Sequence, residues 1–322
     1  MKKLFIKLIK LFGFEIIDQN TFSSPSLNRK LNEDLSIFNK KSIVLPLGEV
    51  KITRKVNSIL IIIRMNTEIK IWDQNKQRLF QQPKIEYSAR SIKSIINSIN
   101  SCKIKNPNLN IKTLIVDDKS NNENFNRIKK IIEDEKIDIF SLNHAKYKDI
   151  INKQKSKETF SNLASLLQSF EIGKEQGEDL IFFVEDDYLH FKTMLEEMIY
   201  SYERITSQIG QDIFMCPSDY PYLYMNNEAT NILIGSKRHW RTVNKTLCTF
   251  LTSKYLLDKY WENFQKTCLD RHDPFEKFIN EIYKDEICIS PIKSLSLHLT
   301  NINSSYGLAP FVDYEKLWDE NR

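Results

Sequence analysis

Apolar residues along this chain fall into short unbroken runs separated by stretches of helical spacing. Val56–Arg64 (VNSILIIIR), Ile111–Val116 (IKTLIV) and Leu180–Val184 (LIFFV) are continuous runs, the pattern of strands buried on both faces. Tyr87–Cys102 places Ile92, Ile95, Ile96 and Ile99 on one helical face. Phe125–Glu133 and Phe160–Gly173 also read as helices, Ile137–Ser141 as a short strand, and 143–157 as a Lys-rich loop. Strand and helix alternate, which predicts a parallel α/β sheet. No internal repeat interrupts the alternation.

The first 55 residues follow a different pattern. Residues 1–17 (MKKLFIKLIKLFGFEII) put Phe5, Leu8, Ile9 and Phe12 on one helical face and Lys3, Lys7 and Lys10 on another. Lys7 and Lys10 break the apolar run and no Ala-x-Ala site follows, which argues against a secretory signal peptide. Such a basic amphipathic helix either lies on an anionic inner-leaflet surface or packs on its own domain, and amphipathicity alone does not separate the two. Residues 18–55 are polar, with Pro25, Pro46 and Gly48, and read as a linker or an extension wrapped on the domain. The expected organisation is a helical extension over 1–55 and one domain over 56–322.

Composition narrows the class. Of the 322 residues, 41% are hydrophobic, enough for a sizeable core and against a wholly disordered chain. Only 7 Gly and 9 Pro exclude a collagen-like or low-complexity chain, and a phosphate site cannot depend on a glycine-rich loop. Lys+Arg 47 against Asp+Glu 42 leaves +5, with Lys spread along the chain beside Asn and Ile. That is a solvated surface and not the concentrated patch of a nucleic-acid binder. No unbroken apolar run reaches the roughly 18–20 residues of a membrane span. Cys102, Cys216, Cys248, Cys268 and Cys288 are odd in number and lack Cys-x-x-Cys spacing, so neither a zinc knuckle nor a disulfide framework is expected. A cytoplasmic setting is the simplest reading, extended to the inner face of the membrane if residues 1–17 bind it.

Two of the buried strands run into acidic residues, Asp117-Asp118-Lys119-Ser120 and Glu185-Asp186-Asp187. In open α/β sheets ligands bind beyond the carboxyl ends of the strands. Carboxylates there cost stability unless they bind something, and two such ends should converge on one crevice. Carboxylates suit a hard divalent cation, and such a cation suits a diphosphate. The pattern points to a metal-dependent nucleotide enzyme.

At these residues the sequence resembles the GT-A-fold glycosyltransferases, particularly family 2-like enzymes. Their second strand ends in Val-Asp-Asp-x-Ser, here Val116-Asp117-Asp118-Lys119-Ser120, and their mid-domain Asp-x-Asp motif or its variants is here Glu185-Asp186-Asp187. The likeness covers about 56–200, the nucleotide-sugar half, and is weaker over 201–322, the acceptor half. It implies a GT-A-type, Rossmann-like, mostly parallel sheet flanked by helices, with the N-terminal helical extension added. It implies that Asp117 and Asp118 hold the nucleotide, with Asp118 on the base. Asp186 would contact the ribose or order the site, and Asp187 would be the principal metal ligand. Arg64 and Asn162 fall on the same donor side, although Arg64 stands where the family has a Pro-Thr-Tyr-Asn-like turn. The alternative for both acidic pairs is a capped turn.

The remaining candidates lie in the second half. His298 follows the apolar stretch Ile292–Leu297 and fits the late His that serves GT-A enzymes as a further metal ligand. An imidazole suits Mn²⁺ better than Mg²⁺. The alternative is a buried structural histidine. His190 is placed on a helix after the acidic motif, in a supporting role, and His144, in the Lys-rich loop, carries no signal. Inverting GT-A enzymes set a carboxylate base at the start of a helix on the acceptor side. Leu269–Glu276 (LDRHDPFE) is such a segment. Pro274 suits the first helical position, making Asp273 the N-cap and Glu276 the third helical residue of a capping box. Asp273 is favoured over Glu276 as base, with capping alone as the other reading. His239-Trp240-Arg241-Thr242 and Tyr220-Pro221-Tyr222-Leu223-Tyr224 suggest an acceptor-facing surface over 218–245, where Arg241 could bind phosphate; the other reading is core and rim.

The expected activity is that of a metal-dependent, hexosyltransferase-like enzyme. It would move a sugar, with inversion, from a nucleoside-diphosphate sugar to a glycan or lipid-linked acceptor in surface polysaccharide or lipopolysaccharide biosynthesis. The rivals are a nucleotidyltransferase, which usually carries a glycine-rich loop that Arg64–Trp72 lacks, and a non-catalytic module binding sugar nucleotide or membrane.

Overall fold

The computed structural model describes residues 2–14, 43–44, 48–49, 51–68, 78–151, 156–225, 229–300 and 302–322. The chain divides into two compact units, Met1–Ile52 and Thr53–Arg322. The first contains helix α1 (Lys2–Leu11) and two short antiparallel strands, β1 (Ile43–Val44) and β2 (Gly48–Glu49). Phe5, Leu8, Leu11, Phe12 and Phe14 are exposed. Residues 15–17 and most of 18–55 lie outside the described residues. Among the described residues no helix is long and apolar enough to cross a membrane.

The second unit begins with β3 (Ser58–Met65), α2 (Lys84–Lys105), β4 (Asn110–Asp117), α3 (Asn122–Ile131) and β5 (Ile137–Ser141). Next come α4 (His144–Tyr147), α5 (Lys157–Gln176), β6 (Leu180–Glu185), β7 (Tyr188–His190) and α6 (Met194–Ile209). The latter part holds β8 (Phe214–Met215), β9 (Ile232–Ile234), β10 (His239–Val243), β11 (Phe250–Ser253) and the helices α7 (Lys254–Lys259), α8 (Trp261–Leu269) and α9 (Lys277–Ile282). It ends with β12 (Cys288–Pro291), β13 (Ser296–His298) and α10 (Tyr314–Asp319).

Nine strands form one sheet in the order β5-β4-β3-β6-β11-β8-β12-β10-β9. The β5-β4-β3-β6 half is parallel throughout. β11 and β10 run against the other strands. The fold is therefore α/β, with a mixed, mostly parallel central sheet flanked by helices, and the sheet passes through both halves of the sequence.

The unbroken apolar run of β3 reflects burial on both faces. Ile59, Ile61 and Ile63 pack with residues of α2 and α6, while Leu60 and Ile62 pack with residues of α5 and α8. The α2 face read from the sequence is the one that is buried, with Ile92, Ile95, Ile96 and Ile99 in the first of these clusters. The helix itself is longer than its isoleucine stripe, running from Lys84 to Lys105.

Two further features shape the site. β7 and β13 form a separate two-stranded antiparallel sheet that pairs Tyr188 with His298 and His190 with Ser296. At the C-terminus, Trp318 packs on α2. The Arg90 guanidinium lies 4.2 Å above its ring and donates a hydrogen bond to its carbonyl. Phe80 stacks on the same ring at 4.3 Å, and the neighbouring Leu79 N–H donates to the carbonyl of Leu299.

Candidate functional site

The carboxyl ends of β3, β4 and β6 open on one cavity of about 720 Å³. Of the residues singled out from the sequence, Arg64, Asp118, Asn162, Asp186, Asp187, Asp273, Glu276 and His298 line it. Asp117 and Arg241 do not.

Glu185, the last residue of β6, and the two acids that follow it each meet a different cationic side chain. Glu185 is the register partner of Arg64 on the adjacent strand, and Arg64 Nη2 donates to Glu185 Oε1 at 2.7 Å. Arg64 Nη1 donates to Asn162 Oδ1 at 2.9 Å, so Asn162 holds the guanidinium in place. Asp186 accepts from Lys84 Nζ at 2.6 Å, from Ser88 Oγ and from the Asn66 backbone N–H. Its oxygens are occupied by groups of the chain itself, which favours ordering of the site over ribose contact. Asp187 Oδ2 lies 3.5 Å from His298 Nε2. Burial opposes the charge on Asp187, but His298 beside it prevails and holds the carboxyl well below the usual range. Burial likewise works against a charged His298, and Asp187 more than offsets it.

The β7–β13 pairing puts His298 opposite Tyr188, one residue past Asp187, and Leu299 N–H donates to the Asp187 carbonyl at 2.9 Å. His298 Nδ1 lies 2.9 Å from the Tyr306 carbonyl, so Nδ1 carries a proton and Nε2 is the nitrogen turned to Asp187. Metal-ligating histidines are commonly oriented by such a bond. Among the described residues no group of three or more His, Cys, Asp or Glu side chains is set to hold a metal ion. The donors that could do so are the pair Asp187 and His298, a set that suits a cation completed by phosphate and water.

Asp118 carries two contacts that the sequence did not signal. His144 Nε2 lies 2.8 Å from Oδ1, and Asn66 Nδ2 donates to Oδ2 at 2.8 Å. The Lys-rich loop thus contains a short helix, α4, capped by Asn143 and starting at His144. Asp117 turns away from the cavity and closes the turn by accepting from Ser120 Oγ and N–H. The capped-turn reading describes Asp117.

The Asp273 segment also differs from expectation. Helix α9 begins at Lys277, its N-cap position is Glu276, and no side chain caps it. Residues 274–277 form a turn closed by Lys277 N–H to the Pro274 carbonyl, and the helical bonds start with Asn280 N–H to Glu276. Neither Asp273 nor Glu276 therefore acts as a side-chain cap. Asp273 is exposed at the cavity mouth, whereas Glu276 is 9% exposed and accepts from the Cys248 thiol. Burial, with the charge of Glu185 added, pushes the Glu276 carboxyl up to about 7.

Among the described aromatics of 218–245, all but the exposed Tyr224 are core. Trp240 is fully buried and its indole N–H donates to Ser201 Oγ at 3.0 Å; Tyr220 and Tyr222 are buried as well. Arg241 is not a phosphate ligand in the cavity. Its guanidinium is spent on the buried carboxylate of Asp219 and lies 4.3 Å from the Tyr224 ring. His190 is on β7 and not on a helix. Its Nδ1 meets Ser296 Oγ at 2.6 Å, and burial pushes its pKa down to about 3.

No family model matches the chain, and no curated protein matches it. Among solved structures the chain is similar to a galactosyltransferase, LgtC, in complex with donor and acceptor sugar analogues, at 10% identity and a TM-score of 0.36, covering 71% of this chain and 72% of that one. It is similar to UDP-glucose pyrophosphorylase complexed with UDP-glucose at 10% identity and a TM-score of 0.39, covering 83% and 100%. It is also similar to S. aureus TarS at 11% identity and a TM-score of 0.39, covering 81% of this chain and 38% of that one. Likeness of this degree transfers neither a substrate nor a residue role; the α/β class rests on the strand order itself.

Proposed function

We infer that this chain is a metal-dependent glycosyltransferase acting on a nucleoside-diphosphate sugar. The observation that carries the reading is one cavity, at the carboxyl ends of parallel strands, that holds both the Asp187–His298 donor pair and the buried carboxyl of Glu276. A divalent cation bound by Asp187 and His298, Mn²⁺ in preference to Mg²⁺, would neutralise charge on the departing diphosphate. Asp118 faces the nucleotide base. Lys84, held by Asp186, and Arg64, held by Glu185 and Asn162, keep the acidic floor in place.

Glu276 suits the base better than Asp273, because a carboxyl that titrates near neutrality both takes a proton and releases it. Its carboxylate takes the proton of the acceptor hydroxyl as that oxygen bonds to the anomeric carbon. The bond from that carbon to the diphosphate oxygen breaks, and the diphosphate leaves with its electron pair. Displacement from the opposite side inverts the anomeric centre. The acceptor is a glycan or a lipid-linked acceptor of surface polysaccharide or lipopolysaccharide assembly, and the exposed apolar residues of α1 support contact with an inner membrane surface.

The test is a thermal-shift panel of UDP-, GDP-, dTDP- and CMP-sugars with and without Mn²⁺, repeated on Asp187→Asn. A rise in Tm that needs the metal and one nucleotide sugar, and that Asp187→Asn loses, is the expected result. No shift with any of the four sinks the reading. Formation of a sugar nucleotide from a nucleoside triphosphate and a sugar phosphate replaces it with nucleotidyl transfer.

A further inference from the structure

Cys248 is 1% exposed, and its spacing from the other cysteines marks no motif. The fold nevertheless fixes it beside Glu276. It lies in the loop 244–249 between β10 and β11, and that loop is tied on both sides of Cys248. Thr249 Oγ1 accepts the N–H of Glu185 at 3.0 Å. Thr246 N–H donates to Asn280 Oδ1 at 3.1 Å, and Asn280 N–H donates to the carbonyl of Glu276 at 2.8 Å. Held between these ties, the Cys248 Sγ lies 3.8 Å from Glu276 Oε1. Burial pushes the Cys248 thiol far up, so it stays protonated near neutral pH and is the donor in this contact.

Burial and the charge of Glu185 on β6 oppose ionisation of Glu276. Its own backbone N–H, the Cys248 thiol and Arg64 on β3 favour it, and Arg64 is already bonded to Glu185. Burial also keeps Cys268, on α8, a neutral thiol. Arg271, Asp273 and, on α5, Glu158 are exposed at the cavity mouth, with His272 beside them.

We propose that Cys248 is a positioning residue for Glu276, holding Oε1 in the cavity with a donor weak enough that the carboxyl both takes and releases a proton. The inference rests on Glu276 as the base and deepens that reading. A thiol is a weak donor, whereas a hydroxyl in the same place would bond the ionised carboxylate strongly. A hydrogen bond to the charged form favours that form and makes the carboxylate a poorer base.

Two substitutions of opposite expected sign separate this role from packing. Cys248→Ser sets a stronger donor on Oε1 and should lower the titration of Glu276 by about one pH unit, a ten-fold change in its ionisation. Cys248→Ala removes the donor and should raise it. The measurement is urea unfolding of the full chain from about pH 4 to about pH 8, with each substitution also made in Glu276→Gln. Wild-type stability falls between the unfolded and the folded titration of Glu276, so the upper end of that fall should move down in Cys248→Ser and up in Cys248→Ala. In Glu276→Gln both substitutions should act equally at every pH. The acid limb of kcat/KM, taken with the donor that the thermal-shift panel names, should move in the same two directions. Shifts of one sign, shifts that persist in Glu276→Gln, or an acid limb that stays in place in both variants overturn the inference and leave the nucleotide-sugar reading intact. A wild-type profile that Glu276→Gln does not alter overturns it as well and withdraws Glu276 as base. A panel that names no donor ends the nucleotide-sugar reading, and the inference falls with it.

Discussion

Arg64 and Glu185 face each other across adjacent parallel strands, guanidinium to carboxylate at 2.7 Å, at the floor of the cavity. The pair removes Glu185 from the set of acids available to a ligand. It also sets the charge that Glu276 meets.

Removing one partner of this pair should be costly. The side chains are 8% and 27% exposed, so the loss lies below the roughly 3–5 kcal/mol of a fully buried pair. Arg64→Ala should lower stability by about 2 kcal/mol in urea unfolding. The double variant Arg64→Met, Glu185→Gln should recover most of it, since no uncompensated charge remains. A double variant as unstable as the single one would show that Arg64 acts by packing alone.

Glu276 should leave a signature in pH. Its carboxyl titrates near 4.5 in an unfolded chain and near about 7 here. Between those values the native state holds a proton that the unfolded state has lost, so stability falls as pH rises from about 4.5 to about 7 and is flat above. Glu276→Gln removes that slope. It should match the wild type near pH 4 and exceed it by about 3 kcal/mol at pH 8. In activity the sign is reversed: kcat/KM of the wild type should climb through about pH 7 as the base ionises. Glu276→Gln should lose between about a hundred- and ten-thousand-fold and flatten the profile. An unaltered acid limb in the variant returns the role to Asp273.

The metal should depend on two side chains from distant segments, Asp187 in the turn between β6 and β7 and His298 on β13. Asp187→Asn should weaken Mn²⁺-assisted binding of UDP by about a hundred-fold, and His298→Ala by about ten-fold. Electron paramagnetic resonance of bound Mn²⁺ reads both directly. Full Mn²⁺ binding in His298→Ala would make that histidine a structural partner of Asp187 and Tyr306 only.

Arg241 should prove to be a stability residue. Its guanidinium and Asp219 are nearly buried, at 10% and 1% side-chain exposure. Arg241→Ala should cost about 3 kcal/mol in unfolding while KM for the nucleotide sugar stays within about two-fold. A large rise in KM at unchanged stability would restore Arg241 to the site.

What the sequence disclosed and what it hid divide along physical lines. The buried strands and the α2 face are written locally, as runs and as spacing, and β3, β4 and β6 appear where the patterns of 56–64, 111–116 and 180–184 place them. The acidic strand ends could be seen to converge because parallel neighbours bring their carboxyl ends to one edge. Contacts between distant segments had no local trace. Lys84 reaches Asp186 across 102 positions, and His144 meets Asp118 because α4 folds back over the end of β4. β7 and β13 are three residues each, too short for a periodic signal, so nothing local separates the strand position of His190 from a helical one. Trp240 and Arg241 read as part of an acceptor-facing surface, with Arg241 on phosphate, because burial of an aromatic beside a cation is decided by the partners, Ser201 and Asp219, and not by the run itself.

The C-terminal packing has a consequence for biosynthesis. The wall of the cavity at His298 is continuous, through Leu299 and Leu79, with Phe80 and the Trp318 ring. Arg90, synthesised early, finds its stacking partner only 228 residues later. A nascent chain can pair β3, β4 and β6 as each emerges from the ribosome. The histidine that faces Asp187 and the helix that braces it follow only after all three strands are complete. The acidic floor can therefore assemble before His298 reaches it, and a chain stalled before β13 would carry that floor without the histidine.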